Sequence, residues 1–182
     1  MKSSMKHKET FLIIITLLFL PIINKAQNTV NFELTSANDT SHFVLSKAKG
    51  KFVVLHFLLK TECPHCLQHT HDYIIKSKKF SNVIQVFIKP DNKREIEEWS
   101  DKLLDHELTR YPIYRDPEAN LAKLYKIPFG YSFHGQIVHY PALIILDLEG
   151  KEVFRYIGKN NSDRFSFDRF VVKMNEIIGS NH

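Results

Sequence analysis

The sequence predicts an α/β domain with a mixed sheet and helices on both faces. Three observations predict it. The only two cysteines form Cys63-Pro64-His65-Cys66, between an apolar run over 52–59 and a polar, Gly- and Pro-free run over 67–79. The first run reads as a buried strand and the second as a helix. A further apolar run over 83–88, ended by Pro90-Asp91, completes strand–helix–strand, which requires a parallel pair. Late in the chain, residues 142–147 and 151–157 flank Glu149-Gly150 and read as an antiparallel hairpin, followed by a C-terminal helix.

The chain opens with a different kind of segment. Lys2, Lys6 and Lys8 precede an apolar run over 11–23, and Ala26 stands before Gln27. A basic start, a short apolar core and a small residue have the layout of a secretory signal peptide over 1–26, leaving a domain over 27–182. The run has 13 residues, short for a membrane span; an uncleaved N-terminal anchor is the alternative. Removing 1–26 takes four Lys and one Glu from totals of 25 basic and 20 acidic residues, which leaves 21 and 19. The basic balance is therefore largely a property of the leader. No basic cluster with interleaved aromatics suggests nucleic acid as a partner. A hydrophobic fraction of 43% and a charged fraction of 25% are those of a globular protein. The expected location is periplasmic or secreted, where disulfides persist.

Residues 30–34 and 42–45 read as two short strands across the turn residues Ser36 to Asp39, an N-terminal β-hairpin. After the 83–88 strand, Ile96, Trp99 and Leu103 recur at helical spacing within 93–106. Residues 111–114 are extended. Asp116 and Pro117 read as the cap and first position of a helix carrying Leu121, Leu124 and Tyr125. Residues 126–140 read as an aromatic loop, packed on the core or lying beside the active site. Phe167, Phe170, Val171, Met174, Ile177 and Ile178 make the apolar face of the last helix, stopped by Gly179.

The chemistry centres on the cysteine pair. Cys63 falls at a helix N-terminus, where unpaired N–H groups and the helix dipole favour a thiolate. His65 can add positive charge. Two cysteines on one helical turn can bridge, so a redox dithiol is the first reading. Zinc would require more ligands, and Cys63, Cys66, His69 and His71 do not share one helix face. Copper delivery by Cys63 and Cys66 with His69, His71 or His134 is a further reading, since thiolate and imidazole suit copper. A haem-attachment motif would need His at 67, which is Leu67. An inert structural disulfide would add little across so short a loop.

With these elements in order, residues 30–178 resemble the thioredoxin-like redoxins, including periplasmic thiol–disulfide oxidoreductases and the alkyl hydroperoxide reductase/thiol-specific antioxidant type. Phe32-Glu33-Leu34, Phe43-Val44-Leu45-Ser46 and Gly50-Lys51 resemble that family's opening hairpin and central strand. Tyr111-Pro112 and the run from Asp116-Pro117 to Tyr125 resemble the mid-domain of its peroxiredoxin branch. Asp147 to Lys151 resembles its late turn. The resemblance implies a thioredoxin-like fold and a catalytic set of Cys63, Pro64, His65, Cys66 and Pro141. Cys63 attacks, Cys66 resolves, and Tyr140-Pro141 matches the cis-proline facing the pair. It implies protein thiols or disulfides and a redox partner protein as partners, and no cofactor beyond a redox-active Cys63–Cys66 disulfide. A thiol-dependent peroxidase is the alternative; there Lys60 stands where peroxiredoxins carry Thr or Ser.

Overall fold

The computed structural model describes residues 30–60, 63–103 and 111–180. The proposed leader over 1–26 lies outside the described residues. The central strand β3 (Phe52–Phe57) is buried along its whole length. It pairs in parallel with β4 (Val83–Lys89), as the strand–helix–strand pattern requires, and antiparallel with β8 (Ala142–Leu146). β5 (Ile113–Arg115) extends the parallel side, and β9 (Glu152–Ile157) closes the other edge, giving the order β5-β4-β3-β8-β9. β1 (Glu33–Thr35) and β2 (His42–Val44) form the expected antiparallel hairpin.

Side-chain alternation along the sheet divides the core in two. Phe52, Val54, Phe87, Leu143 and Ile145 face helices α1 (Pro64–Lys76), α2 (Lys93–Ser100) and α4 (Phe167–Gly179). Val53, Leu55, Val86, Ile88, Ile144 and Leu146 face the N-terminal hairpin and the short helix α3 (Asn120–Leu124). Helix α1 buries Cys66, His69, Thr70, Tyr73 and Ile74, the i, i+3, i+4, i+7, i+8 stripe of one helix face. Tyr73, Trp99 and Phe170 are fully buried, and burial of each such side chain contributes about 1.5–3 kcal/mol.

Three expectations are corrected. The aromatic stretch over 126–140 is not a loop. It folds into an antiparallel hairpin of β6 (Phe129–Phe133) and β7 (Gln136–His139), turned by His134 and Gly135, both with positive φ. The capped helix after Asp116 begins later than Pro117. Ala119 adopts φ 52° first, and the Asp116 carboxylate reaches forward to accept from Leu121 N and Ala122 N, both at 3.1 Å. Gly179 does not stop α4; it is the last residue of the helix, and Ser180 caps it.

Candidate active site

Cys63 is the N-cap of α1, and Pro64 occupies the first helical position, where a missing N–H costs nothing. The Cys63 Sγ accepts from the Cys66 N–H at 3.1 Å. The two cysteines are disulfide-bonded, with their Cα atoms 5.1 Å apart, and both are fully buried. Behind them, Lys89 at the end of β4 donates to the Leu59 carbonyl at 2.7 Å, pairs with Asp91 at 3.1 Å and lies over the Trp99 ring. This buried lysine holds the end of the segment that leads from β3 to the cysteines. Burial pushes it down to about 8.

The segment between β9 and α4 supplies what the sequence did not reveal. Arg164 Nη2 lies 3.3 Å from Cys63 Sγ and 3.1 Å from Cys66 Sγ, and it donates to Asn161 Oδ1 at 3.0 Å. Asn161 Oδ1 itself lies 2.9 Å from Cys63 Sγ. Among the described residues no carboxylate forms an ion pair with Arg164. Burial lowers this guanidinium to about 10, so it stays charged at neutral pH. Residues 98 and 101 positions after Cys63 carry no local signal that they meet it; a polar turn with one Arg resembles any solvated loop.

Several contacts hold that segment in place. The Gly158 N–H donates to the Pro141 carbonyl at 2.8 Å, and a Cβ on Gly158 would stand 2.1 Å from the Asp163 carbonyl oxygen. Asp163 accepts from Tyr156 Oη and from Lys159 N. The Asn161 N–H donates to Tyr131 Oη at 2.9 Å, which ties the segment to the β6–β7 hairpin.

The other sequence-derived residues fall as follows. His65 is exposed on the first turn of α1 and lines a cleft of about 320 Å³ between α1 and residues 162–168. The cation in contact with the sulfurs is Arg164. Pro141 is buried and lines a small void with His69 and Arg164. Its peptide bond is trans, not cis as the resemblance implied; trans is the lower-energy isomer of X-Pro by about 0.5–1 kcal/mol, and here it carries the chain from His139 straight into β8. His69 is buried and bonded to His56, while His134 sits in the β6–β7 turn. Among the described residues no cluster of three or more His, Cys, Asp or Glu side chains is arranged to hold a metal ion.

The sequence profile of the AhpC/TSA family matches residues 25–153, which is most of the chain and spans both cysteines and strands β1 to β8. The chain belongs to the AhpC/TSA family. Among curated proteins no sequence match is found. Solved structures are similar in fold. AhpC of Enterococcus faecalis matches with a TM-score of 0.68 at 16% identity, covering 86% of this chain and 93% of its own. The reduced 2-Cys peroxiredoxin of Plasmodium vivax matches with a TM-score of 0.68 at 17% identity, covering 84% and 95%. The exposed lipoprotein thioredoxin Etrx1 of Streptococcus pneumoniae matches with a TM-score of 0.61 at 23% identity, covering 81% and 99%. The thioredoxin-like α/β fold is thus established, and the family makes this AhpC/TSA chain a redoxin, a thiol oxidoreductase or peroxidase.

Proposed function

We propose that the chain is an exported thiol–disulfide oxidoreductase that passes two electrons between its Cys63–Cys66 pair and protein dithiols or disulfides, with a redox partner protein resetting it. The observation that carries this reading is the Arg164 guanidinium, held against both sulfurs, with no carboxylate in ion-pair contact among the described residues. In the disulfide state neither sulfur offers that cation a negative charge. Opening the disulfide creates a thiolate beside it, so reduction is favoured and the oxidised pair is poised to act as an oxidant. A substrate thiolate attacks Cys63 Sγ, the Cys63–Cys66 bond breaks, and Cys66 leaves as thiolate. A second substrate thiolate then attacks the substrate sulfur of the mixed disulfide, and Cys63 leaves as thiolate, stabilised by the Cys66 N–H, the helix N-terminus and Arg164. The substrate is oxidised to a disulfide and the enzyme reduced to a dithiol.

Purified residues 27–182 are expected to oxidise a reduced protein substrate stoichiometrically. Cys63→Ser abolishes this, and Cys66→Ser accumulates a mixed disulfide at Cys63 that is visible by mass spectrometry. Full activity in Cys63→Ser would overturn the mechanism. Export is checked with the full chain, 1–182: protein recovered from the periplasm should begin at Gln27.

Family membership supports a second reading, a thiol-dependent peroxidase. Cys63 thiolate would attack the peroxide O–O bond, become a sulfenic acid and release an alcohol or water, and Cys66 would displace water to form the disulfide. Fast, saturating oxidation of reduced protein by peroxide in stopped flow, outpacing exchange with disulfides, selects this reading over the first.

A further inference from the structure

One buried polar group takes no part in the scheme so far. His56, at 0% exposure in β3, meets His69 of α1, Nδ1 to Nε2, at 2.9 Å. On its other side His56 Nε2 meets Gln85 Oε1 of β4 at 2.7 Å. The bonding order fixes the protons. A carbonyl oxygen only accepts, so His56 carries its proton on Nε2 and presents Nδ1 as acceptor. His69 must therefore donate from Nε2, which leaves its Nδ1 as a lone pair. Burial keeps both rings neutral.

His69 follows Cys66 by three residues on the buried face of α1, the spacing at which helix side chains are neighbours. It also lines the cleft that opens beside the pair. The ionisable groups around it are His56 from β3, Tyr73 from its own helix and Arg164 from the C-terminal segment, whose charge disfavours a lasting imidazolium. His65, Asp72, Lys76 and Asp168 share the cleft, and Tyr156 and Asp163 share the small void.

We propose that His69 relays the proton that Cys66 gains and loses as the pair cycles, with His56 and Gln85 positioning it by fixing its tautomer. This rests on the dithiol chemistry proposed above. When the disulfide opens, a substrate thiol proton passes through Nδ1 of His69 to the Cys66 thiolate. When the disulfide closes, Cys66 loses its proton through the same atom to the cleft, and its thiolate attacks the mixed disulfide at Cys63. The imidazole ends each passage neutral.

The test mixes the reduced protein with a small-molecule disulfide and follows two phases, mixed-disulfide formation at Cys63 and closure by Cys66. His69→Gln keeps a donor to His56 and removes the titrating ring. It should leave the first phase intact and slow the second about 10²-fold at pH 6–7, the size of a lost general base, with the gap closing above pH 8.5. A closure rate slowed by less than about tenfold across that range overturns the relay, because a positioned base contributes about 10²–10⁴-fold. Nitrogen chemical shifts of His69 in the unaltered protein give a readout that needs no variant: the Nε2–H tautomer supports the relay, and the Nδ1–H tautomer overturns it. Absence of the first phase in the unaltered protein would instead overturn the exchange reading itself, and the tautomer measurement would still decide the relay.

Discussion

At the scale of single residues, two groups compete for Cys63. In the reduced protein Asn161 Oδ1 can accept from the thiol, and Arg164 favours the thiolate. A neutral hydrogen bond is worth about 1 kcal/mol net, whereas one to a charged group is worth about 1.5–3 kcal/mol, so Arg164 prevails. Arg164→Gln should therefore raise the Cys63 pKa and make the disulfide less oxidising by tens of millivolts, about 30 mV per 1.4 kcal/mol. Thiolate absorbance against pH and equilibration with glutathione measure the two effects; no change in either would show that the guanidinium is idle. His65 is exposed, and its charge is screened by water, so His65→Ala should shift the potential by less than Arg164→Gln does. A larger shift in His65→Ala would move the activating role back to the residue between the cysteines.

At the scale of elements, α1 and the 158–164 segment have opposite tasks. The helix presents the sulfurs at its N-terminus, and the segment lies against them. With both cysteines fully buried, a partner reaches Cys63 only when the residues over it move. The bond from Asn161 N to Tyr131 Oη is one latch of that cover. Tyr131→Phe removes about 1 kcal/mol of restraint, so thiol reagents should open the disulfide about fivefold faster. An unchanged rate would mean that the cover moves elsewhere. Gly158 is a second constraint. Its backbone packs on Asp163 and Pro141 with no room for a side chain, so Gly158→Ala must displace the segment that carries Arg164. A thiolate titration moved up in pH and a melting temperature moved down from the parent's values are the expected result. Retention of both would show that the segment absorbs the methyl group without moving Arg164.

At the scale of the whole molecule, the neutral histidine pair makes stability depend on pH. Burial holds His56 at about 3, against 6.5 in the unfolded chain, and holds His69 well below its ordinary value. Between pH 6.5 and 3 the unfolded state binds the proton that folded His56 refuses. Stability therefore falls as pH falls through that window, by about 1.4 kcal/mol per unit for His56, with His69 acting in the same direction. Urea unfolding at pH 7, 6 and 5 checks this. Equal stability at all three would mean that the folded and unfolded chains take up the same number of protons, so that burial does not hold the pair neutral.

The strand–helix placement of Cys63 and Cys66, the parallel β3–β4 pair and the β1–β2 and β8–β9 hairpins were legible in the sequence, because each depends on local periodicity and turn chemistry. The β6–β7 hairpin was missed because its alternation is blurred: Phe129 and Ile137 are exposed while Phe133, Val138 and His139 are buried. Only the tertiary structure decided which cation serves the sulfurs. Composition at the motif favoured His65, yet Arg164, 101 residues away from Cys63, occupies the contact. The same holds for His56, which read as one more residue of an apolar strand until β3 packed against α1 and brought His69 to it. Local sequence determines backbone conformation through short-range sterics and periodic burial. The electrostatic environment of a thiolate depends on groups brought within a few ångströms by packing, and nothing in a linear chain encodes that distance directly.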